Sequence, residues 1–105
     1  MKKIEEYQEQ TEERWRRLAA GGEYLACGWC EFDKDMDVSQ DCLRCPVVRV
    51  FGRWCGNIPQ MRAYYDAWSH SGEREAAQVV YELAVEYREE LIAAARAIVE
   101  EVQGE

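Results

Sequence analysis

The sequence predicts a mainly α-helical single domain, residues 1–105, built around a cysteine-rich metal-binding segment. Apolar residues recur at helical spacing at both ends of the chain, and all five cysteines lie between Cys27 and Cys55. No strand pattern of useful length competes with this; VVRVF, Val47–Phe51, is the one candidate, for a short hairpin arm. A chain of 105 residues is small enough that a metal or an oligomeric partner would add appreciably to its stability.

Residues 1–20 read as the first helix. Ile4, Tyr7, Thr11, Trp15 and Leu18 recur three or four residues apart, and Glu5, Glu6, Glu9, Glu12 and Glu13 fill the other faces. Gly21 and Gly22 supply the stop. Residues 23–57 form the cysteine segment, too short and too punctuated for much regular structure. Residues 58–70 form a short helix with Asn57 as N-cap and Pro59 in its first turn, carrying Met61, Tyr64, Tyr65 and Trp68.

Residues 73–103 give the clearest element, a long acidic helix with Val80, Ala84, Tyr87, Leu91, Ala95, Ile98 and Val102 on one stripe. At about 1.5 Å per residue it is about 45 Å long. The first helix covers only part of that length. A second copy of the chain, pairing as a homodimer through this helix, or another protein is expected on the remainder.

The net charge of −8 is uneven: residues 73–105 hold nine acids against Arg74, Arg88 and Arg96. Phosphate contacts need clustered Lys and Arg, so nucleic acid is not the expected partner. The local set Arg44, Arg49, Arg53 and Arg62 keeps a nucleic-acid-binding zinc module as an alternative. An acidic helical surface suits a basic protein, including one that normally holds nucleic acid. No apolar run approaches the roughly 18 residues a membrane span requires. The start, MKKIEEYQEQTEERWRR, has no apolar signal core. The expectation is therefore a cytoplasmic chain with reduced thiols, and the odd cysteine count also argues against structural disulfides.

The cysteines run C-x2-C (Cys27, Cys30), eleven residues, C-x2-C (Cys42, Cys45), nine residues, then Cys55. Two residues between paired cysteines make a turn tight enough to aim both thiolates at one point. Two such pairs are a zinc signal. An iron–sulfur cluster, which also takes four thiolates, is the alternative. Five thiols allow two assignments. Cys27, Cys30, Cys42 and Cys45 bind the metal and Cys55, the favoured spare, is a small buried hydrophobe; or Cys55 is a ligand and one member of the second pair is spare.

Other readings are weaker. CGWC has an oxidoreductase shape, but that chemistry wants a helix N-terminus in a βαβ setting, and neither is legible here. EFDKDMDVSQD opens like a calcium loop, yet Val38 stands where glycine is needed and Arg44 where the bidentate glutamate belongs; it reads as a solvated acidic loop. His70 is a lone histidine near a helix end, where a cation favours the dipole. Trp15, Trp29, Trp54 and Trp68, with Tyr24, Phe32, Phe51, Tyr64 and Tyr65, read as core around the metal, with an aromatic partner patch as the functional alternative. One histidine, no nucleophile motif and no phosphate loop leave catalytic residues unassigned. An enzyme is not expected.

The order C-x2-C, C-x2-C-P, a single Cys, then Pro and a Tyr-x3-Trp helix resembles a group of small uncharacterised proteins of bacteriophages and prokaryotic genomes. The matching residues are Cys27, Cys30, Cys42, Cys45, Pro46, Cys55, Pro59, Tyr64 or Tyr65, and Trp68, within residues 15–70. That group usually has a shorter gap between the pairs, and Thr-Pro-Tyr where this chain has Asn57-Ile58-Pro59. The resemblance implies that all five cysteines belong to one metal-centred unit and that the setting is a phage or mobile element. It supplies no activity. The resulting expectation is a non-enzymatic zinc protein that binds, and inhibits, a host or cognate protein through an acidic surface mimicking nucleic acid.

Overall fold

The computed structural model describes residues 2–22, 25–36, 45–53, 55–68 and 72–104. These form six α-helices: α1 (Ile4–Ala19), α2 (Gly28–Met36), α3 (Pro46–Phe51), α4 (Pro59–Ala67), α5 (Glu73–Glu86) and α6 (Arg88–Gln103), with a 3-10 turn at Cys55–Asn57. There is no strand among the described residues. The molecule is a rod of 47 × 23 × 23 Å.

α1 forms where its stripe predicts. Glu5 and Glu6 lie in its first turn and Arg16 and Arg17 in its last, both favourable to the helix dipole. It ends in a Schellman motif: Gly22 N–H donates to the Arg17 carbonyl at 2.7 Å and Gly21 N–H to Leu18 at 3.1 Å. Gly21 has φ 81°, a left-handed value that glycine adopts without strain.

The cysteine segment is more regular than its punctuation suggests. EFDKDM continues α2 rather than forming an acidic loop, and Phe32 and Asp33 are buried. Asp37 to Arg44, with Cys42, lie outside the described residues, as do Tyr24, Trp54 and His70. VVRVF is helix α3, not a hairpin arm. Cys45 is the N-cap in extended conformation, Pro46 occupies the first turn, and Gly52 (φ 70°) closes the end by donating to the Val48 carbonyl at 2.8 Å. This local punctuation, with Val47, Val48, Val50 and Phe51 packing on the core, overrides the β-preference of branched residues. α4 begins one residue later than read: Ile58 is its N-cap and Asn57 belongs to the 3-10 turn.

The long C-terminal helix is two. α5 and α6 meet at Tyr87, whose φ −97° and ψ 17° depart from helical values. Hydrogen bonds continue across it, Tyr87 N–H to Leu83 at 3.0 Å and Leu91 N–H to Tyr87 at 2.9 Å, so the join is a kink. No glycine or proline stands there. The physical cause is two separate packing problems, with the Tyr87 ring against Phe51 at 4.9 Å between them. α5 serves a core of Trp15, Ile58, Met61, Tyr64, Ala77 and Val80; α6 serves one of Tyr7, Trp29, Phe32, Cys45, Leu91, Ala95 and Ile98.

Length alone therefore gives no reason for a second copy. α1 packs on α5 and α6, α4 on α5, and α3 on α6. The stripe residues Val80, Ala84, Leu91, Ala95 and Ile98 are buried within one chain. Tyr65 and Trp68, at 49% and 63% exposure, are the aromatic residues of α4 and its end that stay outside. Among the described residues no helix is long and apolar enough to cross a membrane.

Polar links tie the layers. The Tyr7 hydroxyl donates to Asp35 at 2.5 Å, and burial together with that carboxylate pushes its pKa up to about 12. Arg88 grips Glu12 with two bonds of 2.7 and 2.8 Å, holding the kink to α1. Burial alone would raise the Glu12 pKa; Arg88 and Gln8 outweigh it and bring the pKa below its usual value.

Candidate metal centre

Each residue of CGWC has a distinct job. Gly28 opens α2 where it passes so close to α1 that a Cβ would stand 1.9 Å from the Tyr7 carbonyl oxygen and 2.9 Å from Thr11 Oγ1. Trp29 is fully buried; its indole N–H donates to Gln8 Oε1 at 2.9 Å and its backbone N–H to Thr11 Oγ1 at 3.2 Å. Thr11 completes the crossing by donating to the Tyr7 carbonyl at 2.9 Å. Fixed this way, Cys27 stands immediately before α2 and Cys30 in its first turn, with Thr11 Oγ1 3.8 Å from Cys27 Sγ.

Cys45, the N-cap of α3, and Cys55, opening the 3-10 turn, come to the same place from elsewhere in the chain. Cys27, Cys30, Cys45 and Cys55 all line one cavity of about 350 Å³. It lies where the two cores meet. Trp29, Cys45 and Leu91 reach it from one core, and Trp15, Ile58, Met61 and Val80 from the other. Thr11 and Arg14 of α1 and Tyr65 of α4 complete that part of the wall. Arg14 is a buried cation, donating to the Leu25 carbonyl at 2.7 Å with its guanidinium carbon 5.0 Å from the centre of the Trp15 ring.

All four described cysteines are free thiols. Cys45 is buried, Cys27 half-buried, and Cys30 and Cys55 exposed. Backbone N–H groups reach three of the sulfurs: Trp29 and Cys30 towards Cys27, Val47 and Val48 towards Cys45, Gly56 and Cys55 itself towards Cys55. The hydrogen bond with Cys30 lowers the Cys27 pKa, against the opposing effect of burial. The same bond raises Cys30, aided by burial and by the charges of Cys27, Cys45 and Cys55. Burial pushes Cys45 up to about 12 and raises Cys55, which Arg14 partly counters. A cation among these sulfurs would relieve that mutual repulsion, because thiolates are the ligand form.

The cavity thus gathers Cys27, Cys30 and Cys45 of the sequence-predicted ligands, while Cys42 lies outside the described residues. Cys55, expected as a small buried hydrophobe, is instead exposed, and it lines the cavity with the others. CGWC does open a helix, contrary to the reading that set its redox shape aside, although no strand flanks it among the described residues. No three Cys, His, Asp or Glu side chains among the described residues are grouped as a metal ion requires. Sequence reasoning passed over Thr11 as a hydroxyl anchor, and Gln8 and Arg14 altogether. All three occupy helical-stripe positions where polarity was the signal. The chain matches no family model, no curated protein and no solved structure.

Proposed function

We propose that this protein is a non-enzymatic interaction protein organised by a thiolate-ligated metal centre. The supporting observation is the meeting of Cys27, Cys30, Cys45 and Cys55, from three separate segments, at one cavity between the two cores. Four thiols, three of them reached by backbone N–H groups, are a donor set for zinc or an iron–sulfur cluster. The centre's role is to join the α5 core to the α6 core. Structural zinc in small modules contributes about 10–16 kcal/mol of binding free energy, comparable to the whole stability of a domain. The wild-type protein is expected to purify with bound metal, and Cys27→Ser to lose both the metal and most of the cooperative melting transition. Metal-free wild-type protein, or a Cys27→Ser melting curve identical to wild type, overturns the reading.

The working surface is the outer face of the α5–α6 rod, and a specific charge arrangement favours it. Arg88 and Arg96 turn to Glu12 and Glu5 of α1. Glu82, Glu86, Glu89 and Glu90 remain exposed on the rod, none of them ion-paired with a described cation. In the phage or mobile-element setting that the resemblance implies, such a face suits a basic host protein, including one that normally holds nucleic acid. Replacing these four glutamates by Gln is expected to abolish a salt-sensitive association with such a partner while leaving the melting temperature unchanged. Undiminished association of the fourfold variant rules the mimicry out.

A further inference from the structure

Independently of the metal-centre reading, we infer that Cys27 and Cys30 form a dithiol–disulfide couple that reduces low-molecular-weight disulfides, Cys27 attacking and Cys30 resolving. Of the described thiols, these two share one turn of backbone, whereas Cys45 and Cys55 come from separate segments. The Cys27 carbonyl accepts from the Glu31 N–H at 3.2 Å, so the turn is already helical at Cys27. Helical geometry sets Cα atoms three residues apart at about 5 Å, inside the roughly 4.4–6.8 Å that a disulfide spans. The two thiols are hydrogen-bonded to each other.

The surroundings assign the roles. Thr11 Oγ1 lies 3.8 Å from Cys27 Sγ, and the Trp29 and Cys30 N–H groups reach the same sulfur. Donors gathered at a helix start favour the thiolate, the form that attacks a disulfide. Cys27 lines the cavity of about 350 Å³, which offers room for a small disulfide against its sulfur, and Cys30 is exposed beside it. The turn itself is fixed: Gly28 is pressed against the Tyr7 carbonyl, and Trp29 is tied to Gln8 and Thr11. The disulfide therefore closes without moving α2. In the exchange, the Cys27 thiolate attacks one sulfur of a disulfide RS–SR, forming Cys27–S–SR and expelling RS⁻. Cys30 gives its proton to that RS⁻, attacks the Cys27 sulfur and expels the second RS⁻, which takes up the proton that Cys27 released to water on ionising. The small disulfide gains two electrons and two protons, and the two thiols lose them.

The test uses the full chain, reduced, stripped of metal with a chelator under argon, and equilibrated with mixtures of reduced and oxidised glutathione. Acid quenching, alkylation and peptide mapping then locate every disulfide. The expected result is a Cys27–Cys30 bond that forms at about tenfold less oxidised glutathione than any bond of Cys42, Cys45 or Cys55. Excess reduced glutathione reverses it, and far-UV circular dichroism is the same in both states. Cys30→Ser is expected to stop at a mixed disulfide of glutathione with Cys27, and Cys45→Ser to behave as wild type. Wild-type protein in which Cys27 and Cys30 stay reduced while other thiols oxidise, or in which they bond to other cysteines instead, overturns the couple whether or not the variants fold. A Cys30→Ser adduct on a thiol other than Cys27 overturns the assignment of the attacking sulfur. The metal content of the untreated protein bears on the metal-centre reading alone, so the two readings fail separately.

Discussion

Gly28→Ala is expected to destabilise the protein by about 3 kcal/mol or more, the upper end of what overpacking a dense site costs. The sign runs against helix propensity, since alanine within a helix is ordinarily favoured over glycine by about 1 kcal/mol. At this position the new Cβ meets backbone: the Tyr7 carbonyl oxygen at 1.9 Å, its carbon at 2.8 Å, and Thr11 Oγ1 at 2.9 Å. No side-chain rotation relieves a clash with a helix backbone, so α2 must withdraw from α1. That withdrawal strains the bond from Trp29 N–H to Thr11 and moves Cys27 and Cys30 away from Cys45 and Cys55. Gly72→Ala is the control, because a Cβ there meets nothing within 4 Å, and it should change stability by less than about 0.5 kcal/mol. Urea unfolding of both variants at equal metal content decides the matter. Equal midpoints would mean that the helices separate freely and that the close crossing is not a constraint.

How far the sequence revealed this architecture depended on whether the deciding force was local. α1 was legible through its stripe and its paired glycines, and α4 through Pro59, because caps and periodicity act within a few residues. α3 was hidden by a β-branched run whose helicity is set by Pro46, Gly52 and burial. The kink at Tyr87 left no trace in the sequence, since it arises from α5 and α6 answering to different cores. The paired cysteines pointed to the candidate centre, but their spacing could not convey that Cys55 would share a cavity with Cys27. Gln8 and Arg14 carried a usable signal. Each falls on the buried face of α1 by the same three- and four-residue steps as Tyr7, Thr11 and Trp15, and a polar group on such a face must find a buried partner.

The bearing of Gln8 on the fold makes Trp29→Ala the other large effect, expected at about 4 kcal/mol or more. Removing a buried tryptophan costs about 3–5 kcal/mol in lost burial and cavity formation. Trp29 sits near the centre of its cluster, stacked 6.2 Å from Tyr7 and edge-on to Phe32 at 5.5 Å. Its indole N–H is also the donor to Gln8 Oε1, while the Gln8 amide donates to the Ala84 carbonyl at 2.9 Å and to Glu12 at 2.7 Å. Gln8 is 1% exposed, so water has little access to the acceptor left behind. An orphaned buried acceptor adds about 1–3 kcal/mol. Trp29→Phe separates the two contributions by keeping most of the ring and removing the donor. Combining it with Gln8→Leu removes the acceptor as well. If the hydrogen bond is as important as its burial implies, the double variant should be at least 1 kcal/mol more stable than the sum of the single effects predicts, as a double-mutant cycle in denaturant would read. Strict additivity would assign the cost of losing Trp29 to packing alone, and Gln8 would then link α1 to α5 through Ala84 without help from α2.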